Sequence, residues 1–304
     1  MAMRGVTGGA TTPESAGLEA HRRLMFSIAY RMLGDVGNAE DIVQEAFLRA
    51  HRAMREGTQI RDPRGFLAEV TTRLAIDELR SARVRRERYV GPWLPEPLVG
   101  ELEPDVAERV ELRESVSMAF LVLLERLSPV ERAVFLLHDI FGFEFVEIAR
   151  IVERSPDNCR QIAVRARRHV DEQRPRFEPS TEEHDRLANL FFAAAADGDV
   201  DALVELLAED ALMVGDGNGR GARREPVHGA LRVARFLAGL FRVGMRQHFR
   251  VERATVNGKP GLVVHDPSGA VVSVLALDVV DKRVSAVRSV VNPEKLTRVE
   301  VASD

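Results

Sequence analysis

The 304-residue chain has a single cysteine, Cys159, so an internal disulfide framework and a cysteine-built zinc cluster are both excluded. One thiol in a chain of this length suits a reducing cytosol. No apolar run approaches the ~20 residues that a bilayer-spanning helix needs. The first residues, MAMRGVTGGATTPESAG, lack the apolar centre of a secretory signal. An excess of positive charge is missing as well: 43 Lys and Arg against 47 Asp and Glu give a formal net charge of -4. That balance weighs against a protein that coats nucleic acid uniformly, though not against a local basic face. The expectation is a cytoplasmic chain with no membrane contact. With 45% hydrophobic residues it can bury two or three cores, at roughly 100–200 residues per domain.

What is present divides the chain into five parts. Residues 1–17 are small, polar and glycine-rich, and predict a disordered tail. Residues 18–90 carry helical periodicity. In NAEDIVQEAFLRAHRAM, Asn38 is placed to cap, and Ile42, Val43, Ala46, Phe47, Ala50 and Met54 form one apolar stripe. Asp41, Gln44, Glu45, Leu48 and Arg49 lie on the other face. PRGFLAEVTTRLAIDELRSARVRRE predicts a second helix that starts at Pro63 and turns basic where its apolar stripe fades. Prolines at 92, 95, 97 and 104, among acidic residues, make 91–112 a solvated linker. Residues 113–174 are helical again, broken at Ser128-Pro129, around Gly142 and at Ser155-Pro156. In the last part, 183–304, two helices broken at Gly198 and a third over HGALRVARFLAGLF precede four strands joined by Asn-Gly, Pro-Ser-Gly and Asp-Lys turns. Helices followed by a meander predict an α+β domain.

The segment ERSPDNCRQIAVRARRHV is the most informative. Cys159, Ile162, Ala163, Ala166 and Val170 recur at helical spacing, which leaves Asn158, Arg160, Gln161, Arg165 and Arg168 outside. After FEFVEIARIV and a short turn, this is a helix-turn-helix whose second helix presents amides and guanidiniums, the groups that read base edges and pair with phosphates. A solvated arginine-rich face is the competing account. A second basic stretch, Arg73, Arg80, Arg83, Arg85, Arg86 and Arg88, has Asp77, Glu78 and Glu87 among it. Two basic helices joined by an acidic tether suit a clamp on one nucleic acid.

GDVGNAEDIVQEAFLRAHR, DPRGFLAEVTTRLAIDELRSARVRRE and LSPVERAVFLLHDIFGFEFVEIARIVERSPDNCRQIAVRARRHV resemble regions 2 and 4 of bacterial extracytoplasmic-function sigma factors, over about residues 20 to 172. GPWLPEPLV and the extra C-terminal domain resemble the sigma J-like subgroup, which carries a SnoaL-like extension. The fold implied is two all-α domains followed by a cone-shaped α+β domain. The resemblance also implies partners, RNA polymerase core enzyme and promoter DNA, and no cofactor or metal. By the same resemblance Asp41, Gln44, Glu45 and Leu48 dock on the polymerase, and Arg73, Asp77, Arg80, Arg83 and Arg86 hold the −10 strand. Few aromatic residues lie near that helix for base stacking, Phe66 and Tyr89 being the nearest. Asn158, Arg160, Gln161, Arg165 and Arg168 match the helix that reads the −35 element.

The last domain leaves alternatives open. SnoaL-like folds host isomerases and cyclases, and Asp216, His228, His248, His265 and Asp278 are acid/base candidates by type, though no two form a recognisable pair. A ligand cavity without chemistry and a weak homodimer through the sheet are further options. Regulation in cis is the reading preferred. DGNGR, 216–220, resembles the subgroup's DGGGR motif, and NPEKL, 292–296, its NPDKL motif. The residues implied in an interdomain contact are Trp93, Pro95, Asp216, Gly217, Gly219, Arg220, Asn292, Pro293 and Lys295. The glycine-rich loop itself lacks the Lys and Ser or Thr of a phosphate loop, which removes the nucleotide reading.

Overall fold

The structure, a computed structural model, describes residues 17–86, 89–100, 115–171 and 181–299, with no side-chain placement at 82–88. The expected disordered tail, the later part of the linker and the side chains of Arg83 and Arg86 lie outside the described residues.

Three helices open the chain: α1 (Arg22–Leu33), α2 (Val36–Arg55) and α3 (Pro63–Arg86). The cap of α2 is Asp35, whose side chain accepts from the Asn38 amide at 2.7 Å; Asn38 is therefore already inside the helix it was expected to cap. Its apolar stripe is as expected, with Ile42, Val43, Ala46, Phe47 and Ala50 buried. Among the described residues four helices follow: α4 (Met118–Leu124), α5 (Pro129–Phe135, extended by a π turn over Leu136–Ile140), α6 (Phe145–Val152) and α7 (Pro156–Asp171). Ser128 and Glu131 form a reciprocal capping box at the start of α5. The helix-turn-helix is α6 and α7, and α7 buries Cys159, Ile162, Ala163, Ala166 and Val170.

The two helical groups share one apolar core that runs from Ile28 and Tyr30 through Ile76 and Leu79 to Phe135, Ile148 and Ile162. Polar contacts cross the same junction. Arg31 donates to Ser115 Oγ at 2.8 Å, and buried Arg132 donates to the Met32 carbonyl and to Glu125 Oε1, the latter at 2.9 Å. Burial pulls the pKa of Arg31 down to about 10 and that of Arg132 to about 9, so both stay charged near neutrality.

The C-terminal part contains α8 (Thr181–Asp197), α9 (Val200–Leu206), β1 (Leu207–Asp216), β2 (Val227–His228), α10 (Ala230–Arg246), β3 (Arg250–Val256), β4 (Lys259–His265), β5 (Val271–Val280) and β6 (Arg283–Val290), then a 3-10 turn over Pro293–Lys295. The sheet order is β2-β1-β6-β5-β4-β3, antiparallel except for β1 beside β6. Two of its hairpins close on residues with positive φ, Asn257-Gly258 and Asp281-Lys282.

Strand alternation gives this sheet two different faces. Met213, Leu262, Leu275, Leu277 and Val287 point into a core under α8, α9 and α10. Val214, Val256, Val263, Val274, Ala276 and Val290 point the other way, into a core completed by Leu94 of the linker, Met118 of α4 and Leu296. The sheet is thus covered on both faces, the second time by residues outside its own domain.

Candidate functional site

The outer face of α2 presents Asp41, Gln44 and Leu48 to solvent, with Leu48 58% exposed. Glu45 is held by Arg49 one turn on, at 2.7 Å. An exposed leucine among carboxylates and an amide is a combination suited to a helix-on-helix contact. On α7, Asn158, Arg160, Gln161, Arg165 and Arg168 are all exposed. Ser155 Oγ accepts from the Asn158 amide at 3.2 Å, which fixes the start of the helix, and Arg160 pairs with Asp157.

The basic stretch of α3 is less open. Arg73 donates to the backbone carbonyls of Arg150 at 2.8 Å and Ile151 at 3.1 Å, at the end of α6, and pairs with Glu69 at 2.8 Å. Arg64, the second residue of α3, donates to the Phe141 carbonyl at 2.9 Å. Arg80 remains exposed beside Asp77, at 3.2 Å. Phe66 sits at the edge of a core formed with Phe47 and Leu67, and Tyr89 faces the C-terminal domain. The α3 face nearest the helix-turn-helix is therefore occupied by it.

The linker is where the three parts meet. Expected as a solvated acidic tether, it is instead threaded over 89–100 between the helical parts and the sheet, with Leu94, Pro95, Glu96 and Pro97 buried. At its centre is Asp216, the last residue of β1 and wholly buried. One carboxylate oxygen, Oδ2, accepts from the Leu94 amide at 2.7 Å and from Lys295 Nζ at 2.7 Å; the other accepts from the Tyr89 hydroxyl. Burial and this contact hold the Tyr89 phenol well above its usual range, so it stays a donor. Lys295 also donates to the Leu94 carbonyl and lies 4.2 Å from the centre of the Trp93 ring. Asn292 donates to the Tyr89 hydroxyl at 2.9 Å and caps the 3-10 turn that carries Lys295. The β1 end and the Asn292 segment are tied together because the Asp216 carbonyl accepts from the amides of Val291 and Asn292.

Two further joints secure the linker. The Tyr30 hydroxyl donates to the Glu96 carbonyl at 2.7 Å and accepts from Asn257 Nδ2 at 2.7 Å; Asn257 also donates to the Val116 carbonyl at 2.9 Å and accepts from the Leu98 amide at 3.1 Å. One αL side chain at a hairpin tip thus reaches α1, the linker and the start of the second helical group. Glu96 Oε2 accepts from the Val36 amide at 2.8 Å, while burial raises the pKa of its carboxyl. Neither Tyr30 nor Asn257 was singled out in the sequence; the Asn-Gly pair signalled the turn but not where its amide points.

The glycines of the loop after β1 serve two different purposes. Of its glycines only Gly219 and Gly221 have positive φ, 82° and 65°. Gly217 is required by close approach instead, since a Cβ there would fall 1.8 Å from the Arg220 carbonyl oxygen. Gly219 lies against Val90, and the Val90 amide donates to Asn218 at 3.4 Å. Gly34 touches Trp93 and Pro95 from the α1–α2 corner. Arg220, expected at the interdomain contact, is exposed and lines a cavity on the opposite side of the sheet.

That cavity, about 670 Å³, lies between α10 and the sheet, and its walls are apolar, including Phe236, Leu240, Phe241 and Leu275. None of the five acid/base candidates lines it. Asp216 is at the linker. Asp278 is paired with Arg288 at 2.6 Å. His265 is buried near Glu252 at 3.5 Å, and His228 and His248 are exposed. The carboxylate that does line it, Glu225, is exposed on the loop at its mouth.

The sequence matches three family models in succession: Sigma-70 region 2 over residues 18–85, Sigma-70 region 4 over 117–170 and a SnoaL-like domain over 188–289. It is 38% identical over 294 residues to the ECF RNA polymerase sigma factor SigJ of Mycobacterium tuberculosis, covering 93% of both chains. The chain belongs to the ECF sigma factors. A probable ECF sigma factor of the same organism, SigI, is 42% identical over 198 residues, which is 64% of this chain and 67% of SigI. The crystal structure of M. tuberculosis SigJ matches this sigma factor with a TM-score of 0.73 and 35% identity, covering 93% of this chain and 98% of that one. Region 2 of this sigma factor is therefore α1 to α3, region 4 is α4 to α7, and the SnoaL-like domain supplies the sheet. No helix among the described residues is long and apolar enough to cross a membrane.

Proposed function

We propose that this sigma factor binds core RNA polymerase through Asp41, Gln44, Glu45 and Leu48 of α2, and promoter DNA through Arg73, Asp77, Arg80, Arg83 and Arg86 at −10 and Asn158, Arg160, Gln161, Arg165 and Arg168 at −35. Its SnoaL-like domain acts in cis to hold a closed form in which the two DNA-binding groups cannot work together. Elements about 25 base pairs apart are separated by on the order of 80 Å of duplex. Here Arg73 of α3 is bonded to α6, and α7 packs on α6, so the two DNA-reading helices are only about two helix spacings apart, at roughly 10 Å each. Promoter engagement requires regions 2 and 4 to separate.

The observation that carries the cis reading is buried Asp216, with linker residues Tyr89 and Leu94 on one side and Lys295 on the other. A tethered domain competes for such a surface at an effective concentration in the millimolar range. The catalytic alternative is disfavoured because none of the five candidate acids and bases lines the cavity. A homodimer through the sheet face would require the closed form to open, because the linker and α4 cover that face.

The test is transcription by reconstituted holoenzyme. Arg165→Ala with Arg168→Ala should abolish promoter binding and leave core binding intact. Removing residues 295–304 takes out Lys295 but keeps the sheet, and should raise promoter-directed transcription. Removing everything after 205 also strips the apolar wall from Leu94 and Met118, and should lower it. Equal activity of the two truncations would overturn regulation in cis.

A further inference from the structure

We infer that the cavity between α10 and the sheet is a receptor site for a small amphipathic anion, and that its occupancy is transmitted through the sheet to the linker contact at Asp216. At about 670 Å³ the space falls within the range of small-molecule sites and is larger than a packing defect. Its walls are hydrocarbon and aromatic. Its polar groups are few and segregated. Ser273 and Ser289 lie 3.1 Å apart, hydroxyl to hydroxyl, on neighbouring strands at the floor. Arg220 and Arg223 stand at the mouth with Glu225, and the Arg223 guanidinium lies 5.9 Å from the centre of the Phe236 ring. Two guanidiniums against one carboxylate leave a net positive rim above an apolar interior. That combination favours an apolar body with one anionic head over a neutral or cationic molecule of the same shape. The apolar rim residues Leu240, Val243, Met245 and Val251 are 44%, 51%, 56% and 44% exposed, which leaves the entrance unsealed.

The coupling follows from strand alternation. On β1, Met213 and Gly215 line the cavity while Val214 and Asp216 face the linker. On β6 and just beyond it, Ser289 and Val291 line the cavity while Val290 and Asn292 face the linker. The loop that brings Arg220, Arg223 and Glu225 to the mouth also brings Asn218 and Gly219 against Val90 beside the linker. A ligand that shifts this loop or spreads these two strands therefore moves the groups that hold Tyr89 and Leu94. This second half rests on the proposed latch, whereas the binding site does not.

The full-length chain carries its own reporter, since Trp93 is its one tryptophan and lies under Lys295. Decanoate, 1-decanol and decylamine are titrated by calorimetry, and decanoate also by Trp93 emission. Decanoate should bind about fivefold more tightly than decanol, the size expected of half-exposed ion pairs, and decylamine more weakly than either. Arg220→Ala with Arg223→Ala should remove the preference, and Ser273→Phe, which fills the floor from a half-buried position, should remove binding with the circular dichroism unchanged. Equal affinity for the three probes, or binding that survives Ser273→Phe, overturns the site. So does a concentration-dependent dimer that excludes decanoate from the rim. Calorimetric binding with no change at Trp93 overturns the coupling alone. Asp216→Asn should still bind decanoate, since Asp216 lies outside the cavity, but with an affinity shifted from the parent's, because coupling between two sites is reciprocal. An unshifted affinity overturns the coupling alone; if transcription by the holoenzyme is also unchanged by Asp216→Asn, the latch reading fails and the site stands.

Discussion

Replacing Asp216 by Asn tests the closed form at its most buried point. The substitution keeps the shape and leaves an acceptor for Tyr89, but it removes the charge opposite Lys295. Lys295, with its side chain 8% exposed, would lose its carboxylate and keep the Leu94 carbonyl and the faces of Trp93 and Tyr89. Removing one partner of a buried pair costs about 3–5 kcal/mol, because the other charge stays out of water. Both members belong to the C-terminal domain, so when the linker leaves, the pair is wetted and worth less than about 1 kcal/mol. The loss therefore falls on the closed form, and its population relative to the open form should drop by about two to three orders of magnitude. The assay is hydrogen exchange at residues 89–100 with Trp93 emission read in parallel. Lys295→Met should act similarly by stranding the carboxylate. The double variant, which buries no unpaired charge, should lose at least about 2 kcal/mol less than the sum of the two. Strict additivity, or exchange in the linker that is unchanged by Asp216→Asn, would refute the reasoning.

Three other perturbations have expected outcomes. Asn257→Gly tolerates the αL backbone but deletes the amide that bonds Tyr30 and the Val116 carbonyl, and should lower the unfolding free energy in denaturant by about 1–3 kcal/mol. Gly217→Ala drives a Cβ into the Arg220 carbonyl and should open the linker to limited proteolysis, whereas Gly57→Ala, at a positive-φ glycine with open space around it and far from the linker, should not. His184, on α8, is pulled down from 6.5 to about 4 by burial first and by Lys259 second. A base with a lower native than unfolded pKa takes up its proton on unfolding, so stability is full above pH 6.5 and is lost as pH falls towards 4, by on the order of 3 kcal/mol. His184→Leu should flatten that dependence in pH-resolved melting of the full chain.

How much the sequence revealed depended on whether the signal was local. The stripe of Cys159, Ile162, Ala163, Ala166 and Val170, the Ser155 cap and the Pro63 start are set by helical period and by the few residues that can begin a helix, so they could be read directly. The four strands from β3 onward were marked by turn residues that accept positive φ. β1 was missed because LAEDALMVGD follows α9 with no glycine or proline between them, and its charged residues disguise the alternation. Asn38 was read as the cap in place of Asp35 because both residue types cap, and only the backbone, which puts Asp35 there, decides between them. The larger failure was Glu96, read as part of a solvated acidic linker, together with the depth at which Asp216 is buried. Each is buried because a partner distant in sequence satisfies it: the Val36 amide 60 residues before Glu96, and Lys295 79 residues after Asp216. Family resemblance, not periodicity, had drawn attention to Asp216 and Lys295, and it carried no information on Tyr30 or Asn257.

The short stretch 89–100 explains why one joint can govern the whole closed form. Region 2 holds it through the Gly34 carbonyl, the Val36 amide and Tyr30; the SnoaL-like domain holds it through Asp216, Lys295 and Asn257; and Met118 of region 4 packs in the same core as Leu94. None of these contacts is within the linker itself, which has too few residues to form a core of its own. Releasing the linker from the sheet leaves the Leu94 amide to find water, parts the Glu96 carboxylate from Arg298, and exposes Leu94 and Met118 at once. The interactions are lost as a group because they share one strand of chain, so opening should be cooperative, with Asp216, Asn257 and Glu96 variants non-additive. The shared core of regions 2 and 4 and the buried hydrogen bonds of Arg31 and Arg132 then still oppose their separation, and at the edge of that junction Arg64 and Arg73 make three hydrogen bonds to backbone carbonyls of region 4. Those same guanidiniums can turn to phosphate, so in a holoenzyme promoter DNA would compete for the groups that hold the closed form together.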